Sequence, residues 1–310
     1  MKIAILNKYQ CKVYRGAETF VSELSRRLAK RHTVDVVSYV DYAQLYREKY
    51  DIIIPTNGRW QAFMVRLVCW LSGAKMIISG QSGAGLDDRL NLYTQPDVFV
   101  ALSQFQKDWA NKINPLVKTV YIPNGVDLST FKGSPFKDGR KVVLSVGAFT
   151  KEKRHDLTIN AVAKLNGVKL IIVGSGGDLK NEINDLGIKL LGKDRFEILS
   201  VPHKKMPEIY KKANVLAFPT VPWESFGIVM LEAMATNLPV VATNDPIRKE
   251  IVGSAGLLID PTNTKEYSNA IQSALTTNWG RKPREQASKF SWDKIAQDYE
   301  NLFQKFSEIS

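Results

Sequence analysis

Hydrophobic residues along this chain form short continuous runs, and between the runs they recur at helical spacing. The runs at 2–6 and 75–79 have the length of strands that are buried on both faces. In the segment after the first run, Phe20, Leu24 and Leu28 recur every four residues, as on the buried side of a helix. This alternation predicts an α/β fold, in which helices cover both faces of a parallel sheet.

The alternation occurs twice, on either side of an aperiodic stretch. In the first part, we predict strands at 2–6, 34–38, 51–55, 75–79, 98–102 and 119–122, and helices at 18–31, 60–71 and 104–111. In the second part, we predict strands at 142–146, 169–173, 196–199, 215–218 and 240–243, and helices at 156–165, 179–186, 206–211, 228–236 and 264–275.

The aperiodic stretch, 124–140, carries Pro, Gly, Lys and Asp and is typical of a connection between domains. We therefore predict one domain at 1–125 and a second at 126–280. The remaining segment, 281–310, contains an amphipathic helix, whose apolar face includes Phe290, Trp292, Ile295, Tyr299 and Leu302.

Size and composition fit a globular protein of two domains. The chain has 310 residues, of which 44% are hydrophobic and 24% are charged. Cys11 and Cys69 have no metal-ligand spacing and form no disulfide framework, which favours a reducing compartment. The first residues enter a strand without a signal-peptide core, and no apolar run approaches the roughly 20 residues of a membrane-spanning helix. We expect a cytoplasmic protein.

The chain is basic, with a formal net charge of +12, and residues 1–125 carry the larger part of this excess. A basic face can meet anionic lipid, an acidic substrate or nucleic acid. We do not expect nucleic acid as a partner, because the sequence contains no recognised nucleic-acid module and no arginine-rich tail. General solubility is the alternative explanation for the charge.

The predicted helix at 60–71 combines aromatic and basic residues. Trp60, Phe63 and Trp70 occur in it, with Arg59 and Arg66 beside them. A basic helix with aromatic residues can lie on an anionic membrane surface, which would make the protein peripheral at the inner face of the membrane. Packing of the same helix on the sheet is the alternative.

The stretch 222–232 places two carboxylates on either side of a predicted helix start. A turn at 225–227 leads into the helix, and Asn237 suits the left-handed residue that closes a helix. A helix start offers unpaired N–H groups and a partial positive charge, which suit a phosphate. Glu224 precedes this start, and Glu232 follows it along the helix. The alternative is a capped helix with two surface acids.

Several short motifs precede and follow this stretch along the chain. They are Ile3-Ala4-Ile5-Leu6-Asn7, Arg15-Gly16-Ala17-Glu18, Ile122-Pro123-Asn124-Gly125-Val126-Asp127, Val146-Gly147-Ala148-Phe149 with Lys151-Glu152-Lys153, Ile171-Ile172-Val173-Gly174-Ser175-Gly176, and Gly256-Leu257-Leu258-Ile259-Asp260-Pro261. In this order, and over the range from Lys2 to about Phe306, the chain resembles the retaining glycosyltransferases of family 4, which have the GT-B architecture.

The resemblance implies two Rossmann-like, doubly wound parallel-sheet domains that face a central cleft, with the last helix crossing back to the N-terminal domain. It also implies transfer of a hexosyl unit from a nucleotide-diphosphate sugar, with retention of anomeric configuration, to a glycan, a lipid-linked acceptor or a small molecule. In the usual mechanism of such enzymes, the leaving phosphate oxygen takes the acceptor proton. We therefore expect no cofactor and no metal, and no cluster of aspartates indicates one.

The family motifs assign roles to individual residues of this chain. Lys153 would neutralise the leaving diphosphate, and Glu224 would contact the transferred sugar; both are the predicted catalytic residues. Glu232 would accept hydrogen bonds from the ribose. The remaining predicted donor-binding residues, whose backbone or charge would meet the diphosphate or the base, are Gly16, Arg15, Gly147, Val201, Phe226, Gly227 and Ile228.

The chain departs from the family pattern at several of these motifs. Ala148 stands where an Arg is usual, Ser225 replaces a Gly, and Arg15 takes the place of the first of two glycines. Gln81 is the nearest match to a family His near the reacting sugar, and an amide cannot act as a general base. The three histidines, His32, His155 and His203, are predicted to lie elsewhere, as structural or exposed residues.

Three more residues are candidates on the acceptor side. Asp87 and Asp88 follow the glycine-rich segment 80–85 and would either contact an acceptor hydroxyl or be solvated. Arg59 would compensate for Ala148 from across the cleft, and Arg15, Lys151 and Arg154 are the alternatives for this role. The amino acids alone do not identify the donor base, the sugar or the acceptor.

Alternative functions remain open from the sequence. The departures at Ala148 and Gln81 are compatible with a non-catalytic relative that binds a partner, and the same architecture also serves nucleotide-sugar epimerases and hydrolases. The glycines at 174, 176 and 177 could form a dinucleotide-binding loop, but their spacing does not follow the G-x-G-x-x-G pattern. A tight turn from strand to helix explains them better.

Overall fold

The computed structural model describes residues 1–10, 16–133, 139 and 141–307. The candidate Arg15 and the cysteine Cys11 lie outside the described residues. The described chain divides into two compact units: one comprises the residues up to Gly125 together with those from Trp292 onward, and the other comprises Val126–Ser291. Each unit contains one six-stranded parallel sheet among the residues that are described.

The first unit alternates strands and helices along the chain. Its strands are β1 (Lys2–Leu6), β2 (Thr33–Val37), β3 (Ile52–Pro55), β4 (Lys75–Ser79), β5 (Val98–Ala101) and β6 (Thr119–Tyr121). Its helices up to this point are α1 (Gly16–Leu28), α2 (Tyr42–Arg47), α3 (Trp60–Ser72), α4 (Leu86–Tyr93) and α5 (Gln104–Ile113). The strand order is β2-β1-β3-β4-β5-β6, and every pairing is parallel.

The second unit repeats this pattern. Its strands are β7 (Lys141–Val146), β8 (Val168–Val173), β9 (Phe196–Leu199), β10 (Val215–Phe218), β11 (Val240–Thr243) and β12 (Gly256–Ile259). Its helices are α6 (His155–Ala163), α7 (Lys180–Arg195), α8 (Met206–Lys211), α9 (Ile228–Ala235), α10 (Pro246–Val252), α11 (Thr264–Thr276) and α12 (Lys282–Ser288). Short 3-10 helices lie at Lys151–Lys153 and His203–Lys205. The strand order is β12-β11-β10-β7-β8-β9.

The cores explain why the continuous apolar runs become strands. All four residues of β3, β5, β10 and β11 are buried, because helices cover both faces of each sheet. Fully buried strands need apolar side chains at every position and not only at alternate ones. The two-sided arrangement therefore follows directly from runs such as Ile52-Ile53-Ile54 and Val240-Val241-Ala242.

The last helix of the chain belongs to the first unit. This helix, α13 (Trp292–Ser307), packs against α1, where the ring of Phe20 lies 6.2 Å from that of Trp292 and 6.0 Å from that of Tyr299. At the edge of this contact, Arg27 Nε donates to Asp293 Oδ1 at 2.7 Å. The predicted final segment began at residue 281, whereas α12 lies within the second unit, so the part that joins the first unit begins at Trp292.

Most predicted elements are confirmed within one to three residues, and β1, β4, β9, β10, β11 and α8 are confirmed at both ends. The prediction missed α2, α4, α10 and α12, which have six to eight residues and are too short to show a helical period. It also missed the four-residue strand β12. It also ended α7 too early. That helix continues to Arg195, with a break in its backbone at Gly192, whose φ is 72°. Within the described residues, no helix is long and apolar enough to cross a bilayer.

Candidate functional site

The candidate site of the second unit lies at the carboxyl ends of β7 and β10. These two strands are neighbours, and the chain continues from them to opposite sides of the sheet, to β8 and to β11. Loops that leave such a switch point diverge and leave a crevice, which is where open α/β sheets bind ligands. Gly147 follows β7 directly, and the loop 219–227 connects β10 to α9.

Lys153 and Glu224 meet at this switch point. Lys153 ends the 3-10 helix after β7, and its Nζ donates to Oε2 of Glu224 at 2.7 Å. The two side chains are 22% and 19% exposed, so the pair is mostly shielded from water. The Lys153 side chain lies across Gly147, where a Cβ would meet its Cγ at 3.1 Å. The structure thus brings together Lys153, Glu224 and Gly147.

The backbone also joins the segments that carry these two side chains. Val221 N donates to Glu152 O at 3.0 Å, which ties the 219–227 loop to the turn that bears Lys153. Glu224 N then donates to Val221 O at 3.1 Å and closes a tight turn within the loop. The position of Glu224 is therefore set by main-chain contacts and does not depend on its ion pair alone.

A buried histidine shapes the loop after β7. His155 Nδ1 lies 2.9 Å from Ser145 Oγ, and its Nε2 lies 3.2 Å from Ala148 O. Burial lowers the pKa of His155 to about 4, so the ring is neutral at pH 7. In the tautomer that fits, Nε2–H donates to Ala148 O and Nδ1 accepts from the Ser145 hydroxyl. The prediction that His155 is structural is confirmed, and the residue holds Ala148 by its carbonyl.

The glycines after β8 allow this loop to pack closely. A Cβ on Gly174 would lie 2.0 Å from Gly147 O, and a Cβ on Gly177 would lie 2.2 Å from Phe149 O. Phe149 N donates to Gly176 O at 2.9 Å. These contacts confirm a tight strand-to-helix turn, which was preferred to a dinucleotide-binding loop.

The start of α9 directly follows the 219–227 loop that carries Glu224. Gly227 has φ 86°, and a Cβ at this position would lie 2.8 Å from Phe218 Cζ, so both the backbone and the space require glycine. The helix begins at Ile228, and the first N–H groups of a helix have no partner within it. Phe226 is buried, with its ring 6.4 Å from that of Phe290, and anchors the chain before the helix.

Glu232 lies one turn further along α9 and is 4% exposed. Both of its carboxylate oxygens are engaged: Oε1 lies 2.7 Å from His203 Nε2, and Oε2 accepts from the Tyr210 hydroxyl at 2.7 Å. Burial and the adjacent carboxylate raise the pKa of Tyr210, which keeps the phenol protonated as a donor. His203 lies in the segment after β9, two residues beyond the candidate Val201.

Tyr210 was not among the predicted site residues, and His203, predicted to be structural or exposed, is partly exposed and contacts the candidate Glu232. His203 and Glu232 are 29 residues apart in the chain and meet because α8, which directly follows the 3-10 helix of His203, packs against α9. The available sequence signal was weak. His203 and Tyr210 precede the helix that carries Glu232, but the spacing of these three residues has no helical or strand period that would place them together.

The candidates of the first unit form separate contacts there. Gly16 is the first residue of α1. Gln81 and Asn124 exchange amide hydrogen bonds of 3.0 Å in both directions, and Gln81 Nε2 also donates to Ser79 Oγ at 3.0 Å. The Gln81 amide is thus held by its neighbours in the first unit.

Asp87 and Asp88 occupy the first turn of α4 and differ in environment. Arg59 Nε donates to Asp87 Oδ1 at 2.5 Å, at the surface. Asp88 is only 1% exposed and accepts from Asn91 Nδ2 at 3.2 Å and Gln106 Nε2 at 3.1 Å. Burial raises the pKa of Asp88 to about 7. The alternative that Asp88 is a solvated acid is therefore wrong.

We also searched the side chains for a metal site. In the parts of the chain that the structure describes, no group of three or more His, Cys, Asp or Glu side chains could hold a metal ion. Cys69 is buried against the first sheet, and burial raises the pKa of its thiol to about 12.

Known protein structures share this fold. A crystal structure of the Anabaena protein HepE in complex with UDP and glucose superposes with a TM-score of 0.83, at 20% identity, over 98% of this chain and 100% of that one. Sucrose-phosphate synthase from Thermosynechococcus elongatus has a TM-score of 0.81, at 20% identity, over the whole of both chains. Together with the two parallel sheets, these similarities confirm the predicted GT-B fold class.

Sequence comparisons find relatives among glycosyltransferases. An uncharacterized glycosyltransferase from Methanocaldococcus jannaschii is 29% identical over 212 residues, which cover 64% of this chain and 54% of that protein. D-inositol 3-phosphate glycosyltransferase from Mycobacteroides abscessus is 31% identical over 191 residues, or 56% and 43% of the two chains. The chain spans about half the length of the curated relatives it matches. The family model for glycosyl transferases group 1 matches residues 128–291, more than half of the chain, so this chain belongs to that family.

Proposed function

We propose that this protein is a retaining glycosyltransferase of the family 4 type, which moves a hexosyl unit from a nucleotide-diphosphate sugar to an acceptor. One observation carries the proposal: the Lys153 ammonium and the Glu224 carboxylate lie 2.7 Å apart at the switch point of the second sheet, beside the start of α9. A cation, a sugar-binding carboxylate and a helix start are the groups that a sugar diphosphate requires.

In this proposal, the diphosphate lies at the start of α9. The backbone amides of Phe226, Gly227 and Ile228 and the helix dipole stabilise its negative charge, and Lys153 adds a full positive charge. Before the donor binds, the ion pair with Glu224 holds the Lys153 side chain across Gly147. When the donor is bound, the ammonium is shared with the phosphate, and Glu224 is available to accept hydrogen bonds from hydroxyls of the sugar.

The proposed chemistry balances without a protein base. The bond between the anomeric carbon and the phosphate oxygen breaks, and the acceptor oxygen forms a new bond to that carbon on the same face of the sugar. The acceptor proton passes to the departing phosphate oxygen. This route fits Gln81, whose amide is not a base, and it requires only that developing charge be stabilised by preorganised groups. We therefore propose no metal and no cofactor, with Lys153 supplying the positive charge.

We further propose that Glu232 accepts hydrogen bonds from the ribose of the nucleotide, and that Val201, in the segment of His203, lies near the base. The support is the burial of Glu232 and its position in α9, one turn beyond the helix start at which we propose that the diphosphate binds. HepE was crystallised with UDP and glucose, and the D-inositol 3-phosphate relative is named as a glycosyltransferase. The substrate class of this chain is inferred from these likenesses, and its acceptor is a glycan, a lipid-linked sugar or a small molecule.

The surface of α3 supports a contact with an anionic membrane at the cytoplasmic side. One face of the helix is buried on the sheet through Ala62 and Val65, which matches the packing alternative. The opposite face exposes Trp60 by 69% and Phe63 by 46%, and the neighbouring Leu86 of α4 is 65% exposed. Flotation with liposomes that contain anionic lipid tests this contact. Equal recovery of the wild type and Trp60→Ser/Phe63→Ser at low salt would exclude it.

A screen for donor turnover tests the function. The protein is incubated with UDP-glucose, UDP-galactose, UDP-N-acetylglucosamine and GDP-mannose, and release of nucleoside diphosphate is measured with and without simple acceptors. We expect one donor to be consumed, with Lys153→Ala lowering turnover and Glu232→Ala weakening nucleotide binding. Unchanged kinetics in both variants would refute the assignment. Nucleotide binding without any turnover would instead favour a non-catalytic relative.

A further inference from the structure

A buried arginine holds the loop that carries Glu224. Arg248 lies in α10 and is 0% exposed, and it is 24 residues from Glu224 in the chain. The sequence analysis gave this residue no role. Ionised side chains are rarely buried completely, because removing a charge from water is costly unless the charge is fully paired. The hydrogen-bond partners of Arg248 therefore indicate which part of the structure it stabilises.

The guanidinium donates mainly to the 219–227 loop. Nη1 donates to Glu224 O at 2.9 Å and to Pro222 O at 3.3 Å, and Nη2 donates to Val221 O at 3.2 Å and to Thr220 Oγ1 at 3.0 Å. Carbonyl oxygens that point inward from a loop need such donors, since a buried acceptor without a partner destabilises the fold. A planar group with five N–H donors can serve several of them at once.

The orientation of Arg248 is itself determined by its own helix and by the sheet. Asp245 caps α10 by accepting from the backbone N–H groups of Ile247 and Arg248 at 3.0 Å, and its Oδ1 also lies 3.3 Å from Arg248 Nη1. The guanidinium carbon lies 5.9 Å from the centre of the Phe218 ring. That ring also lies against Gly227, where a Cβ would meet it at 2.8 Å. One cation thus connects α10, the end of β10 and the loop before α9.

We propose that Arg248 is a positioning residue for the reaction: it fixes the backbone at Glu224 so that the carboxylate meets Lys153. Other contacts hold the start of this turn: Val221 N donates to Glu152 O, Thr243 Oγ1 donates to Thr220 O, and Glu224 N donates to Val221 O. The guanidinium adds the donors to Pro222 O and Glu224 O, and without it the segment 222–224 would be free to move. This inference rests on the proposed function for its catalytic consequence, but the positioning itself is independent of that function.

Limited proteolysis tests the positioning without any substrate. Trp223 is 65% exposed, so chymotrypsin can bind its side chain. The peptide bond after Trp223 lies in the hydrogen-bonded turn at Glu224, so it can be cut only when that turn opens. We expect Arg248→Met to raise the rate of this cleavage by at least about tenfold, since charge-assisted hydrogen bonds that close the turn are lost. Arg248→Lys keeps the charge but cannot span the carbonyls, so we expect an intermediate rate, and it serves if the Met variant does not fold.

Arg284 provides a matched control in the same unit. It also donates to backbone carbonyls, at Phe131 O, Leu128 O and Ala235 O, and none of these lies in the 219–227 loop. We expect Arg284→Met to lower the melting temperature and to leave cleavage after Trp223 unchanged. If folded Arg248→Met and Arg248→Lys are cut there no faster than Arg284→Met, the proposal is overturned.

Kinetics on the donor identified by the screen, with UDP-glucose as the first probe, test the consequence for the reaction. We expect Arg248→Met to lower kcat by about 10- to 100-fold, as for a catalytic group displaced by about 1 Å, with a much smaller change in KM. In a Glu224→Gln background, the same substitution should have little further effect on kcat. Additive losses would overturn a role through Glu224. If the wild type consumes no donor, the proposed function is contradicted. The proteolysis experiment would still test whether Arg248 positions the backbone at Glu224.

Discussion

The Nζ of Lys153 lies 2.7 Å from Oε2 of Glu224, although 71 positions separate the two residues in the chain. The contact joins the loop after β7 to the loop after β10, and both side chains are mostly shielded from solvent. A pair of this kind keeps a flexible lysine in place while its charge is balanced. In the proposed function, a bound diphosphate would meet an ammonium whose position is already determined, which is the arrangement that electrostatic catalysis requires.

The first prediction concerns the charge of Lys153. Lys153→Met should lower kcat by about 10²–10³-fold, the range observed when one donor to a developing anion is removed. Steady-state kinetics with the donor found in the screen measure this loss. Lys151 lies in the same 3-10 helix, and its side chain is exposed, so Lys151→Met is the matched control and should retain wild-type kcat. Equal rates for both variants would contradict the role of Lys153.

The second prediction concerns the donors to Glu232. Tyr210→Phe removes the hydroxyl that donates to Oε2, and we expect the affinity for the nucleoside diphosphate to fall by about tenfold, since hydrogen bonds to charged groups contribute about 1.5–3 kcal/mol. Isothermal titration calorimetry measures the affinity. Tyr267→Phe is the control, because that buried hydroxyl lies 3.0 Å from Thr158 Oγ1 and away from Glu232. Its affinity should match the wild type.

The combination of Glu232→Ala with Tyr210→Phe sharpens this second prediction. If the phenol acts only through the carboxylate, the double variant should bind the nucleotide no more weakly than Glu232→Ala alone. A His203→Gln variant should behave in the same way as Tyr210→Phe, with a smaller loss, because His203 is 35% exposed and its contact is partly open to water. Additive losses would show that these residues act independently of Glu232.

The third prediction concerns the start of α9. Gly227→Ala places a methyl group 2.8 Å from Phe218 Cζ and forces alanine into φ 86°, so the loop must shift and the nucleotide affinity should fall. We expect a loss of stability of about 1–2 kcal/mol from the backbone alone. Gly73→Ala carries the same kind of left-handed backbone strain, at φ 81°, with no atom within 4 Å. Its melting temperature should fall, while its nucleotide affinity should remain that of the wild type.

The fourth prediction concerns pH. Burial raises the pKa of Asp88 from 3.8 to about 7, so folding favours its protonated form. The folded state therefore loses stability as the pH rises from about 4 to about 7, because the unfolded chain ionises first. In Asp88→Asn this dependence is absent. The free energy of unfolding of Asp88→Asn minus that of the wild type, from urea titrations, should become more positive as the pH increases through this window. A difference that is independent of pH would contradict the burial of an ionisable Asp88.

The sequence by itself determined the architecture and the main polar candidates. Continuous apolar runs such as 52–54 and 240–242 can be satisfied only by strands that are covered on both faces, and alternation with helices then leads to parallel sheets. The stretch 224–232 was readable because a glycine turn, a helix start and two carboxylates lie close together in the chain. Asn237 was also readable, since its φ of 64° follows from local chemistry at a helix end.

Only the tertiary structure decided which polar groups meet. The pairs Lys153–Glu224 and Glu232–His203 join segments that are 71 and 29 residues apart, and nothing periodic in the sequence links them. Arg248 and Asp88 look like ordinary charged residues of short surface helices, yet both are buried. Burial of a charge depends on donors and acceptors that other segments supply, and those partners are fixed by strand order and loop packing and not by local sequence.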